Sequence, residues 1–355
     1  EAALRPEYFL YFDSSCVQEG QELKLEIAFE NISDIDMDSM LVKFELVGSG
    51  SPVYTRLDSL LSGDTLHASF SLSTINLVGN QQILIEINPN NDQPEKYFFN
   101  NIGLISFEVK RDAVNPLLDV TFDGIHIMNK DIVSGKPEIV VTLSDDNQYL
   151  GLDDLEDFRI ILRHPNLENG EIALRPETTD MQFYPSDPTK LAEENKAKII
   201  IHPELANDGM YTLYVSASDQ SGNNSGQLSY SVDFEVINQP SISNMLNYPN
   251  PFSTATQFVF TLTGNELPDY MKIQILTVSG KVVREILQEE LGTLRIGINR
   301  TEYAWDGKDM YGDQLANGVY LYRVITKKEG MNYESYGTRN DFMFRQGFGK
   351  MYLMR

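Results

Sequence analysis

The sequence predicts an all-β protein built as three tandem β-sandwiches. Apolar and polar residues alternate with period two in one stretch after another, the pattern of strands with one buried and one wet face. Clusters of Gly, Asn, Asp and Pro interrupt these stretches at short intervals, and helical periodicity is almost absent. Two polar, Pro-containing joints cut the 355 residues into pieces of about 110–125 residues, the size of a sandwich domain.

The joints are Lys110-Arg-Asp-Ala-Val-Asn-Pro116 and Ile237-Asn-Gln-Pro-Ser241. They predict domains over residues 1–112, 113–239 and 240–355. In the first, Leu23-Lys-Leu-Glu-Ile-Ala-Phe29, Leu41-Val-Lys-Phe-Glu-Leu46, Ala68-Ser-Phe-Ser-Leu72 and Ile83-Leu-Ile-Glu-Ile87 read as strands. In the second, strands start at Leu118 and Ile132, and Asp208-Gly-Met-Tyr211 precedes another. That string predicts a tyrosine corner, with the Tyr211 hydroxyl bonded to backbone upstream. One helical exception is expected at Asp187-Pro-Thr-Lys-Leu-Ala-Glu-Glu194, with Asp187 as N-cap and Pro188 first in one or two turns inside a loop.

Composition excludes several functions. Cys16 is the single cysteine, so there is no intrachain disulfide and no Cys-based zinc site. Cys16 reads as an ordinary packed or partly exposed thiol. His67, His126, His164 and His202 are too scattered for a metal or nucleophile motif. A formal charge of -24 argues against nucleic-acid binding, which needs a basic face. No apolar run reaches the ~18–20 residues of a membrane span. No nucleophile–base pair, phosphate loop or metal-ligand spacing points to an enzyme. The chain opens Glu1-Ala-Ala-Leu-Arg-Pro without the pattern of a signal peptide, so a piece of a longer or processed protein is expected.

Two oxygen-rich stretches invite calcium. Asp145, Asp146, Asp153 and Asp154, with Glu156 and Asp157, form the densest acidic cluster. Converging carboxylates repel unless a cation neutralises them. The spacing is not that of an EF-hand, and a solvated acidic loop is the other reading. Asn88, Asn90 and Asp92 are expected to serve turn chemistry, with calcium as the alternative. Tyr97, Phe98 and Phe99 suit a strand, or an aromatic surface for a glycan or protein ligand.

The third stretch has the most specific motifs. Leu246-Asn-Tyr-Pro-Asn-Pro-Phe252 precedes the strand Gln257-Phe-Val-Phe-Thr-Leu262. Pro249 and Pro251 fix φ and are expected to end a linker rigidly before the first strand. Val278-Ser-Gly-Lys281 reads as a hairpin turn with Gly280 at positive φ. Trp305 is the expected core anchor, and Asp306-Gly307 and Asn317-Gly318 are turns.

The first stretch resembles CARDB modules of surface proteins, and the second, with Asp219, Gly222 and Asn223, resembles bacterial Ig-like repeats, which implies that Asp219 and Asn223 shape the turn between its last two strands. The ordered motifs of the third, with Pro249, Asn250, Pro251, Phe252, Trp305, Asp306, Gly307, Asn317, Gly318 and Lys350, resemble FlgD-like sorting domains of Bacteroidota proteins exported by type IX secretion. The order of the three, with the ending Gly347 to Arg355, is similar to the C-terminal region of gingipain-like cysteine peptidases, including sortase-related forms. The resemblance implies three tandem Ig-like β-sandwich domains without catalysis. It also implies export through the periplasm to the outer-membrane surface or medium, the type IX machinery as partner, and no cofactor beyond the calcium alternative. The catalytic residues of that family would lie upstream of Glu1. The stretch from Gly330 to Arg345 departs from the family pattern, where a shorter turn is usual.

Overall fold

A computed structural model describes residues 1–8, 10–11, 15–165, 170–327 and 347–355. Its elements are strands apart from two 3-10 turns, Pro6–Tyr8 and Leu155–Asp157, and one helical turn, Gln288–Leu291. The all-β prediction holds. The Gly330–Arg345 departure lies outside the described residues.

Buried side chains gather into three main apolar clusters, each drawn from one stretch of chain. Leu23, Leu25, Ile27 and Phe29 enter the first from alternate positions of Glu22–Asn31. Two sheets enclose it. Glu22–Asn31 pairs with Ala2–Leu4, Leu10–Tyr11 and Thr65–Ser73, all antiparallel. The facing sheet runs Cys16–Gln18, Ile102–Lys110, Gly79–Ile87, Met40–Leu46 and Val53–Leu57. The second cluster lies between the sheet Leu117–Phe122, Ile139–Asp145, Asn195–His202 and Asp180–Tyr184 and a sheet centred on Gly209–Ala217. In both sandwiches a three-residue strand, Cys16–Gln18 or Asp131–Val133, runs parallel to the last strand of the unit.

The tyrosine corner forms. Tyr211 is fully buried, and its hydroxyl donates to the Asn207 carbonyl at 2.9 Å. Asp219 also acts as expected. Its carboxylate accepts from the backbone and side-chain nitrogens of Asn223, both at 2.8 Å. At 187–194 the chain makes turns inside a loop, opened by Asp187, which accepts from Thr189 N at 2.9 Å, and Glu194 N donates to Lys190 O at 2.8 Å, without a regular helix.

The third cluster lies between Ser241–Tyr248, Gln257–Thr263 and Gly297–Arg300 on one side and Val282–Ile286, Tyr270–Thr277, Gly318–Lys327 and Gly349–Leu353 on the other. Ser241–Tyr248 corrects the linker reading: Pro249 follows the first strand of this unit rather than preceding it. Its inward positions include Ser241, Ser243 and Asn247, so the period-two signal is polar on the buried face and hides in the sequence. The Val278–Lys281 turn forms as expected, with Gly280 at φ 86° and Thr277 N donating to Lys281 O at 2.9 Å.

Both joints are bonded. At the first, Asn223 Nδ2 donates to Asp112 O at 3.2 Å, and the Arg111 guanidinium donates to Ser221 O. At the second, Gly135 N donates to Asn265 Oδ1 at 2.9 Å, and Gly264 N to Ile237 O at 2.9 Å.

Candidate functional site

The motif residues of the third unit converge on its last strand, Gly349–Leu353. That strand pairs antiparallel with Gly318–Lys327, placing Val319 opposite Tyr352, Tyr320 opposite Met351 and Leu321 opposite Lys350. Met351 and Leu353 point into the core and are fully buried. Lys350, Tyr352 and Met354 face outward and are exposed. Gly349 starts the strand where the buried Tyr322 ring passes; a Cβ there would fall on the ring. Burial pushes the Tyr322 phenol well above its ordinary value.

The outer edge of the strand is filled from within the same unit. Asn250 Nδ2 donates to Lys350 O at 3.1 Å, and Asn250 Oδ1 accepts from Tyr352 N at 3.0 Å. Phe252 N donates to Tyr352 O at 3.0 Å, and Met354 N donates to Phe252 O at 2.9 Å. The Asn250 side-chain amide thus supplies the donor and acceptor that the N–H and C=O of one residue on a parallel neighbouring strand would supply. Asn317 repeats the device at the chain end. Its Nδ2 donates to Arg355 O at 3.0 Å and its Oδ1 accepts from Arg355 N at 2.9 Å.

Other motif residues brace these contacts. Both Tyr248-Pro249 and Asn250-Pro251 bonds are cis. Thr256 Oγ1 donates to Pro249 O at 2.8 Å. Phe252 packs against Trp305 with ring centroids 5.5 Å apart, and Trp305 meets Tyr320 at 5.9 Å. Trp305 is fully buried, and its indole N–H donates to Lys308 O at 2.8 Å. The Arg355 guanidinium reaches Asp306 O. Gly307, at φ 74°, leaves room for Leu353, whose Cδ atoms would lie 3.1 Å from a Cβ. Tyr320 was not singled out in the sequence, yet its hydroxyl donates to Ala316 O at 2.8 Å. Asn317-Gly-Val-Tyr320 has the spacing of Asp208-Gly-Met-Tyr211, so the same signal marks it.

The acidic residues divide. One carboxylate oxygen from each of Asp112, Asp145 and Asp146 lies within 4.8 Å of the others, so the first joint supplies a carboxylate that the sequence reading missed. Asp153 accepts from Gln220 Nε2, and Asp154 accepts from Glu156 N at 2.9 Å as an N-cap. Both belong beside Asp157, whose carboxyl is raised by burial and then by Asp154, Asp153 and Asp219. Calcium takes six to eight oxygens. Asp112 already accepts from Val114 N and Asn147 Nδ2, and Asn147 turns its oxygen toward Tyr149 N and Leu150 N. Asp145 is pushed up to about 6 by burial first, with Asp112 and Asp219 adding to it.

In the first unit, Asn88 is buried and organises its turn. Its amide bonds Gln93 and Glu95, while Asp92 pairs with Arg56 at 2.6 Å and Asn90 lies in the turn. Tyr97, Phe98 and Phe99 are in a loop, not a strand, and Phe99 is 79% exposed. Cys16 Sγ faces Glu108 Oε2 at 3.7 Å. His67, His126 and His202 each sit beside surface carboxylates, and His164 packs edge-on to Tyr211.

Fold and site define an all-β, Ig-like sandwich array with a clasped terminal strand. No family model matches the chain, and no curated protein matches it. Two of the solved structures similar to it illustrate the likeness. Dimeric latent PorU from Porphyromonas gingivalis shares 14% identity over 99% of this chain and 34% of its own, with TM-score 0.26. The CARDB domain of a Pyrococcus furiosus protein, in complex with di-metal ions, shares 14% identity over 32% of this chain and 94% of its own, with TM-score 0.27. The chain therefore spans about a third of the length of that PorU chain. Overlap this low carries no function across.

Two measurements test the site. Gly349→Ala should lower stability in urea unfolding by about 1–3 kcal/mol, because the buried Tyr322 ring has nowhere to move. For Asp145 the folded state holds the proton more tightly than the unfolded chain. Stability linked to this group is therefore greatest below its ordinary value and is lost as pH rises through about 6. Asp145→Asn keeps the acceptor for Asp146 N and Asn147 N. It should melt higher than the unaltered chain above that pH, and the gap should close at about pH 4.

Proposed function

We propose that this chain is the non-catalytic C-terminal region of a secreted or cell-surface protein. Residues 1–112 and 113–239 act as spacer or adhesion domains, and 240–355 carry the sorting signal for type IX secretion. The protein passes through the periplasm to the outer-membrane surface or medium, and an upstream cysteine peptidase is the natural cargo. One observation supports this above the motif resemblance itself: the motif residues hold Gly349–Leu353 extended and in one register. A receptor that meets a pre-ordered strand avoids the entropy cost of ordering it.

The test places a signal peptide and a fluorescent reporter ahead of residues 1–355 in a type IX-competent bacterium and in its translocon-deficient derivative. Reporter on the surface or in the medium only with the intact translocon is the expected result. Reporter held in the periplasm of both strains defeats the reading.

A second reading, a glycan- or protein-binding module, has its own observation. The Tyr97 and Phe99 rings lie 5.8 Å apart in an exposed loop, with Lys96 Nζ 5.4 Å from the Tyr97 centroid. Exposed aromatic faces suit sugars and apolar side chains. Binding on a glycan and peptide array that is lost in Phe99→Ser would support it; an array without a hit would remove it.

A further inference from the structure

A strand at the end of a sheet can be read in two ways. A partner may add its own strand to the open backbone edge, or it may grip the side chains. These leave different demands on the edge. Addition needs the outward N–H and C=O groups unbonded. Here the outward groups between the Lys350 carbonyl and the Met354 amide are taken: Lys350 O and Tyr352 N by the Asn250 amide, Tyr352 O and Met354 N by the Phe252 backbone. The inner edge is taken by Gly318–Lys327. The filler is not loosely laid on. Phe252 is buried against Trp305, and Pro249 is bonded to Thr256.

We infer that the terminal strand is recognised through its outward side-chain row, Lys350, Tyr352 and Met354 with Val319 alongside, by a protein surface offering a carboxylate and an apolar slot. This rests on the sorting reading and names the chemistry of its partner. Lys350 is exposed and makes no ion pair among the described residues, although the chain carries a formal charge of -24. A cation left unpaired amid that excess of carboxylates is complementary to an acidic receptor. Next to it the row is apolar: Tyr352 is 41% exposed, Met354 60% and Val319 37%. Asn250 is then a positioning residue. It closes the edge, fixes the register, and so sets where these side chains project.

The full chain with its reporter tests this. Lys350→Glu and Tyr352→Ser should each lower the surface fraction by roughly ten-fold or more, as loss of a central contact does, with an unchanged melting temperature. Asn250→Ala should speed hydrogen exchange at the Tyr352 amide, a readout of the opened edge, and should bring no gain in export. Normal export of Lys350→Glu and Tyr352→Ser overturns the inference. So does higher export of Asn250→Ala, which would mean that the edge is what the receptor wants. Failure of the sorting reading looks different, because the unaltered chain itself then stays in the periplasm.

Discussion

The constraint behind the third unit is that a buried or half-buried backbone group must bond to something. The chain ends on an edge strand, and an edge presents a row of unpaired N–H and C=O groups. Water could satisfy them, but then the strand would fray and its inward residues, Met351 and Leu353, would leave the core. Two asparagine side chains meet the constraint instead. A primary amide carries one acceptor and two donors on a planar frame, so its oxygen and one N–H can replace the C=O and N–H of one residue at a single ladder position. Asn250 does this beside Tyr352 and Asn317 does it beside Arg355. The remaining motif residues follow from that need: Phe252 and Trp305 anchor the loop that carries Asn250, and Gly307 clears space for Leu353.

The first joint shows the same economy with a different charge problem. Asp112 belongs to the linker, yet its carboxylate accepts from Asn147 and its carbonyl from Asn223, both in the second unit. Arg111 beside it holds Ser221 O. Burial is the main reason that the Asp145 carboxyl holds its proton more tightly than usual, and the linker adds to it by bringing Asp112 close. The hydrogen bonds around Asp145 are those of loop geometry.

Much of this was legible beforehand. Period-two alternation marked the long strands, and Asp208-Gly-Met-Tyr211 marked a tyrosine corner that the Asn207 bond realises. Three misreadings have physical causes. Ser241–Tyr248 puts serine and asparagine on its buried face, which erases the alternation. Asp187-Pro188 has the chemistry of a helix start, but there it opens a run of turns rather than a regular helix. Tyr97, Phe98 and Phe99 have strand-forming side chains, yet the turn built by buried Asn88 leaves them in a loop.

The sequence by itself determined the all-β class and which residues turn the chain, because these depend on local pattern and on backbone freedom within a few residues. Only the tertiary structure decided what Asn250, Asn317 and Asp112 bond. In the sequence an asparagine beside proline or glycine reads as a turn former, and nothing local tells whether its amide serves its own loop or a strand a hundred residues away. That choice is made by the packing of Phe252, Trp305, Tyr320 and Tyr322, which brings the end of the chain within reach of its start in the third unit.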